Sequence, residues 1–236
     1  MAADSRKGKK TAAAPAPTRS YALIGVLALA GVAVLAYLVT RPKSVSIPAN
    51  VEVLAADTAG FRGYLLGSET APVEITEYAD FQCPACQTFE LIQFHAVKRQ
   101  LIDQGLLRWR YRDFPLAQHR NSRLASHAAA CANDQGKYWE VHYAIYHNQA
   151  TWAGSNSATG IFRDMARQAG VDVAAYDECM ESARYAGRIQ ASLDEGLALG
   201  VASTPTFLIN GRLYPGVLSS DSIAAMVRQL APASTP

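Results

Sequence analysis

The chain of 236 residues has little net charge, few cysteines and no internal repeat. Its 22 Lys and Arg nearly balance its 20 Asp and Glu, but they are unevenly distributed. Residues 1–43 hold seven basic side chains and a single acidic one, Asp4, whereas the remainder holds 15 basic against 19 acidic. No basic stripe is left on the folded part, so nucleic acid is not an expected partner. The four cysteines include only one CxxC pair, Cys83 and Cys86, so a zinc site built from paired cysteines lacks its second pair. About 50% of residues are apolar. That suits one substantial core with a subdomain rather than several independent domains.

Charge is absent from the twenty residues YALIGVLALAGVAVLAYLVT, which begin at Tyr21 and close at Thr40. As a helix this run is about 30 Å long, the thickness of a bilayer's hydrocarbon layer. It is apolar on every face and flanked by Arg19, Arg41 and Lys43, with Tyr21 and Tyr37 near its ends, so it reads as a transmembrane anchor and not a core helix. It is longer than a signal peptide's apolar region, and LVTRPKS offers no small-x-small cleavage site, so the anchor is expected to stay uncleaved. Five Lys or Arg precede it and two follow. The positive-inside rule then keeps residues 1–20, a disordered basic tail, in the cytoplasm and sends the folded part across the membrane. Disulfides can form and persist there.

Beyond the span, residues 41–63 are expected to form a tether with a possible N-terminal strand. A β-branched run at 72–78 leads into Cys83-Pro84-Ala85-Cys86, and a helix with Phe89, Ile92, Phe94, Val97 and Leu101 on its apolar face ends near Gly105. A strand over 107–113 follows. Residues 119–200 show helical patterns broken at Gly136, at 153–157 and at Gly170. A strand at 206–209, the turn pair Asn210-Gly211, a partner strand at 212–214 and a helix opened by Ser219 complete the fold, with a disordered tail at 231–236. The order is that of a small α/β sheet interrupted by a helical insertion.

Cys83 stands just ahead of the helix that contains Cys86. Unpaired N–H groups and the positive dipole end of a helix N-terminus stabilise a thiolate there, and the thiolate is the form that attacks disulfides. A lowered pKa also favours the reduced dithiol, which makes the disulfide the stronger oxidant. Cys86, one turn in, is expected to be more buried and to resolve a mixed disulfide. Outside the cytoplasm, Cys131 and Cys179 most simply pair with each other as a structural bridge; a second redox pair or two buried free thiols are the alternatives. No cofactor or metal is expected, although His127 and Cys131 share a helix face.

The runs EYADFQCPACQTFE from Glu77, HAAACANDQGKYWEVH from His127 and ALGVASTPTFLINGRLYPG from Ala198 resemble the DsbA-like thiol:disulfide oxidoreductases of the thioredoxin superfamily, in the same order along the chain. The resemblance implies an α/β thioredoxin fold whose first part is 64–118, whose helical insertion is 119–200 and whose second part is 201–230. It implies that Pro205 is cis beside the dithiol, leaving the Thr204 backbone free to pair with an extended substrate. It also places Glu77 and Glu90 near the dithiol as proton relays to Cys86, where a carboxylate raises a thiol's pKa. Ala85 departs from the Pro-His dipeptide of the best-known family type and cannot donate to Cys83, so a less oxidising potential is expected. His119 resembles a recurring family position that capping or packing explains equally well. Asp80 reads as a turn residue, His95, His142 and His147 as ordinary helix residues, and Trp139, Tyr143 and Tyr146 as packing residues.

The expected function is therefore a membrane-anchored oxidoreductase that introduces disulfides into reduced exported proteins. The resemblance implies recycling by a quinone-linked membrane oxidase of the DsbB or VKOR type. A reductase, an isomerase and an anchored peptide-binding, chaperone-like module are the alternatives.

Overall fold

A computed structural model describes residues 18–40 and 44–231, with side chains in the first helix described over 23–38. Of the expected tails, at 1–20 and 231–236, residues 1–17 and 232–236 lie outside the described residues, and residues 18–20 form the start of a helix. The chain divides into two compact units, 1–41 and 42–236. The first contains helix α1 (Thr18–Thr40). Its large apolar side chains, Leu23, Val26, Leu29 and Leu35 among them, are more than half exposed. Among the described residues no helix is long and apolar enough to cross a membrane. The anchor expected at 21–40 therefore rests on the sequence.

The second unit is built on β1 (Tyr64–Leu66), β2 (Val73–Ala79), β3 (Leu107–Asp113), β4 (Thr206–Ile209) and β5 (Arg212–Pro215), in the spatial order β1-β3-β2-β4-β5. β2 and β3 run parallel and the other pairs are antiparallel. Asn210 and Gly211 both have positive φ, 47° and 76°, the backbone a tight hairpin between β4 and β5 needs. Two parallel strands require a crossover, and here it is helical. It starts as α3 (Pro84–Thr88), where Pro84 suits the first turn because its missing N–H has no partner there in any case. It continues through a π-helical turn (Phe89–Phe94), a short α4 (His95–Val97) and a second π-helical turn (Lys98–Ile102).

Alternation along the strands sorts the two faces of the sheet. Ile75, Trp109 and Phe207 share one face and pack with Phe89, Phe94 and Val97 of the crossover and with Ile223 and Val227 of α11 (Ser220–Leu230). The Phe89 and Trp109 rings stack at 5.7 Å and both are fully buried. Removing either side chain would cost about 3–5 kcal/mol. On the other face, Tyr78 and Arg112 both bind Glu195 of α10 (Ala186–Leu199). Gly196 lets α10 approach: a Cβ there would lie 2.7 Å from the Phe114 ring.

Helices α5 (Ser122–Asn133), α6 (Tyr138–His147), α7 (Gln149–Trp152), α8 (Ala158–Gln168) and α9 (Val173–Glu181) lie between β3 and α10. Their breaks fall at the expected glycines, with Gly136 at φ 69° and Gly170 at φ 82°. α10 falls inside the span expected for the insertion, yet it packs against β3 as a layer of the sheet. The possible strand in 41–63 is not found among the described residues. That segment instead carries the short helix α2 (Ala55–Thr58), and its backbone donates to side chains rather than to a sheet, from Val45 N to Thr159 Oγ1 at 3.2 Å and from Asn50 N to Gln190 Oε1 at 3.1 Å.

Candidate active site

β2 and β4 pair with Tyr78 opposite Thr206, so Pro205 lies at the end of β2 that leads into the Cys83 loop. The Thr204–Pro205 peptide bond is cis. Cys83 Sγ contacts the Thr204 carbonyl oxygen at 3.4 Å. Both cysteines of the CxxC pair are free thiols, Cys83 with 7% of its surface exposed and Cys86 with none. That asymmetry distinguishes a cysteine with an edge at the surface from one that is wholly enclosed.

The electrostatics follow from this placement. Cys83 is held down to about 5, first because the Cys86 thiol donates to its sulfur, and further by Thr204 and the backbone N–H groups of Cys86 and Ala85, which outweigh the cost of burial. The N–H groups are the helix N-terminus effect expected from sequence; the larger donor, the second thiol, is not visible in the sequence. Cys86 is pushed well above the usual thiol range by burial, by its hydrogen bond to Cys83 and by the charges of Cys83 and Glu77. One thiol is thus ionised at neutral pH and the other protonated, the division of labour that dithiol exchange requires.

Glu77 and Glu90 are both buried, at 2% and 5% exposure. Burial, and then repulsion from Glu90, hold the Glu77 carboxyl well above the usual carboxylate range, although Trp109 Nε1 donates to its Oε2 at 3.1 Å. Glu90 Oε2 lies 3.5 Å from His142 Nε2.

The loop itself is fixed by a residue that local sequence marks only as a turn former. The fully buried Asp80 carboxylate accepts from Gln82 N at 2.8 Å, Leu116 N at 2.9 Å, His119 Nδ1 at 2.7 Å and the Ser122 hydroxyl. Only the Gln82 contact, an Asx-turn, is local enough to read from sequence. The insertion clamps the loop from the other side: Gln149 Nε2 donates to the carbonyls of Phe81 at 2.7 Å and Cys83 at 3.2 Å, and Gln87 Nε2 to that of Tyr146 at 2.8 Å.

Cys131 and Cys179 form a disulfide. His127 Nδ1 lies 3.4 Å from the Cys131 sulfur and 3.2 Å from Met180 Sδ. His127, Cys131 and Cys179 form the group of metal-capable side chains among the described residues, and its two sulfurs are bonded to each other. A groove of about 710 Å³ runs beside Ile47, Phe114, Leu116, His119 and Val201, and neither Cys83 nor Cys86 lines it.

The profile of the Thioredoxin family matches residues 62–229. The chain belongs to this family. Among curated proteins it is similar to Na(+)/H(+) antiporter NhaA 3 of Salinispora tropica, 32% identical over 167 residues that cover 70% of this chain and 24% of that one. The chain thus spans about a quarter of that relative's length. It is also similar to the probable disulfide bond formation protein D of Bacillus cereus, 26% identical over 153 residues, or 63% of this chain and 70% of that one. Among solved structures, DsbA of Chlamydia trachomatis superposes with a TM-score of 0.66 at 19% identity, covering 78% of this chain and 97% of that one. The thioredoxin fold with a helical insertion is therefore common to both chains.

Proposed function

We propose that this chain is a thiol:disulfide oxidoreductase of the DsbA type that introduces disulfides into exported proteins through Cys83 and Cys86. The observation that carries this reading is the split between the two thiols, Cys83 held down to about 5 beside the cis Thr204–Pro205 bond and Cys86 fully buried and pushed up. In the oxidised protein a substrate thiolate attacks Cys83 Sγ. The Cys83–Cys86 bond breaks, its electron pair passes to Cys86 Sγ, and that thiolate takes a proton by way of Glu77. A second substrate thiolate then attacks the substrate sulfur of the mixed disulfide, releasing Cys83 as a thiolate and the substrate with its new disulfide. Thr204 and Pro205 present an extended backbone to the substrate.

The reduced dithiol is recycled by a quinone-linked membrane oxidase of the DsbB or VKOR type. Residues 21–40 hold the protein at the membrane, and the helical, apolar and exposed character of α1 supports that placement. Tethering raises the effective concentration near such a partner. A reductase reading draws support from Ala85, whose side chain offers Cys83 no donor.

Equilibrating the full chain in glutathione buffers and trapping its thiols tests the reading. A dithiol more oxidising than thioredoxin's, with turnover lost in Cys83→Ser, is expected; a potential at or below thioredoxin's assigns the chain to reduction instead. Extraction of membranes with alkaline carbonate tests the anchor, with the chain expected in the pellet.

A further inference from the structure

Cys86 gains a proton each time its disulfide opens and loses one each time it closes, yet no part of it touches solvent. The proton must cross protein groups. Glu77 adjoins it, and Glu90 adjoins Glu77. The path continues past these two carboxyls to His142, 1% exposed and 3.5 Å from Glu90, and neither ring nitrogen of His142 has a hydrogen-bond partner among the described residues. Its ring is walled by Phe81 at 5.1 Å, Tyr111 at 4.7 Å and Tyr146 at 5.1 Å. Next to it lie the buried Asp113 carboxylate, which meets the Ser126 hydroxyl, and the buried Tyr138 hydroxyl, which has no hydrogen-bond partner among the described residues.

Each such orphaned polar atom destabilises the fold, because its lost hydration is not replaced. A fold that pays this several times over in one place is keeping polar groups where packing alone would favour apolar ones, and such departures concentrate at functional sites. The groups facing His142 are Glu90 from the crossover, Tyr111 and Asp113 from β3, and Tyr138 and Tyr146 from α6 itself. Arg112 and Arg188 act on Asp113 from β3 and α10. Histidine is the residue type best suited to pass a proton near neutral pH.

We infer that His142 and Asp113 extend the Glu77–Glu90 pair into a buried proton relay that serves Cys86. The inference rests on the oxidoreductase reading. When the Cys83–Cys86 bond breaks, the electron pair left on Cys86 Sγ takes the proton of the Glu77 carboxyl. The cluster of Glu77, Glu90, His142 and Asp113 shares the proton that remains to it and stays one proton short until reoxidation, when Cys86 returns its proton to the same groups. His142 and Asp113 touch no substrate and act through Glu90 and Glu77, as positioning residues for the proton.

The test uses the full chain, with dithiothreitol as the reducing probe, and follows disulfide opening by stopped-flow fluorescence as a function of pH in H₂O and D₂O. His142→Gln is expected to slow opening about tenfold near neutral pH, to change the pH profile and to alter the solvent isotope effect. Asp113→Asn, nearly isosteric and less disturbing to the fold, is expected to change the profile in the same direction. In both, the ionisation of Cys83 followed by ultraviolet absorbance should stay in place. Rates within about twofold of the parent with an unchanged pH profile and isotope effect, or a uniform loss at every pH, overturn the relay. A parent chain that exchanges no disulfide with dithiothreitol overturns the oxidoreductase reading itself, and the relay with it.

Discussion

Asp80 and His119 face each other at the edge of the dithiol loop, with the imidazole Nδ1 2.7 Å from the carboxylate Oδ2, the carboxylate buried completely and the imidazole 19% exposed. Three further donors converge on the same carboxylate. Asp80→Asn removes a buried charge from donors placed to receive it and should cost about 3 kcal/mol. Urea unfolding of the reduced chain measures the loss. A second sign is faster alkylation of Cys86 as the loop loosens.

Cys83 should ionise with a midpoint near 5, read from thiolate absorbance on the reduced chain. Its pKa is depressed from 9.0, so its contribution to the stability of the reduced form is complete above the unfolded value and disappears as pH falls through about 5. The stability gap between the reduced chain and Cys83→Ser should therefore widen as pH rises across this window. A constant gap contradicts the assignment.

The Cys131–Cys179 bridge closes a loop with a sequence separation of 48. Replacing both cysteines by Ala should lower stability by about 4 kcal/mol in the chain-entropy picture. Disulfide exchange at Cys83 should persist at temperatures where the variant stays folded. Paired thermal melts and exchange assays check both halves of this statement.

Asp113 is pushed up to about 6, first by burial, from an ordinary 3.8. A carboxyl raised in this way stabilises the fold fully below its unfolded value, and that contribution disappears as pH rises through about 6. Asp113→Asn does not titrate. Its melting temperature relative to the parent should climb between about pH 4 and 6 and level off above. Parallel curves across that range would contradict the shift.

What could be read from the sequence follows the range of the interactions involved. β3 and β4 fall at the expected residues because alternation and β-branching are local, and the Asn210-Gly211 turn is set by two adjacent residues. Cys83 and Cys86 identify themselves by spacing. Asp80 does not, since its partners Leu116, His119 and Ser122 are 36 to 42 positions away. His142 is similar: its meeting with Glu90 depends on how α6 packs on the crossover, and a histidine in a helix looks the same whether or not a carboxylate faces it. α10 carries helical periodicity like its neighbours, so sequence alone assigns it to the insertion, whereas its contact with the sheet through Glu195 and Gly196 is a tertiary fact.

The π-helical turn at Phe89–Phe94 sets how tolerant this stretch is to changes in length. Each residue of an α-helix advances its side chains by about 100°. A π-helical turn holds one residue more than an α-helical turn over the same arc, so deleting a single residue there would let regular α winding resume with Phe94, Val97 and Leu101 still facing the sheet. The crossover can therefore shed a residue within this turn, at the exposed Ile92 for example, more readily than at a regular α-helical turn such as those of α10, where the same deletion would rotate every later side chain by about 100°.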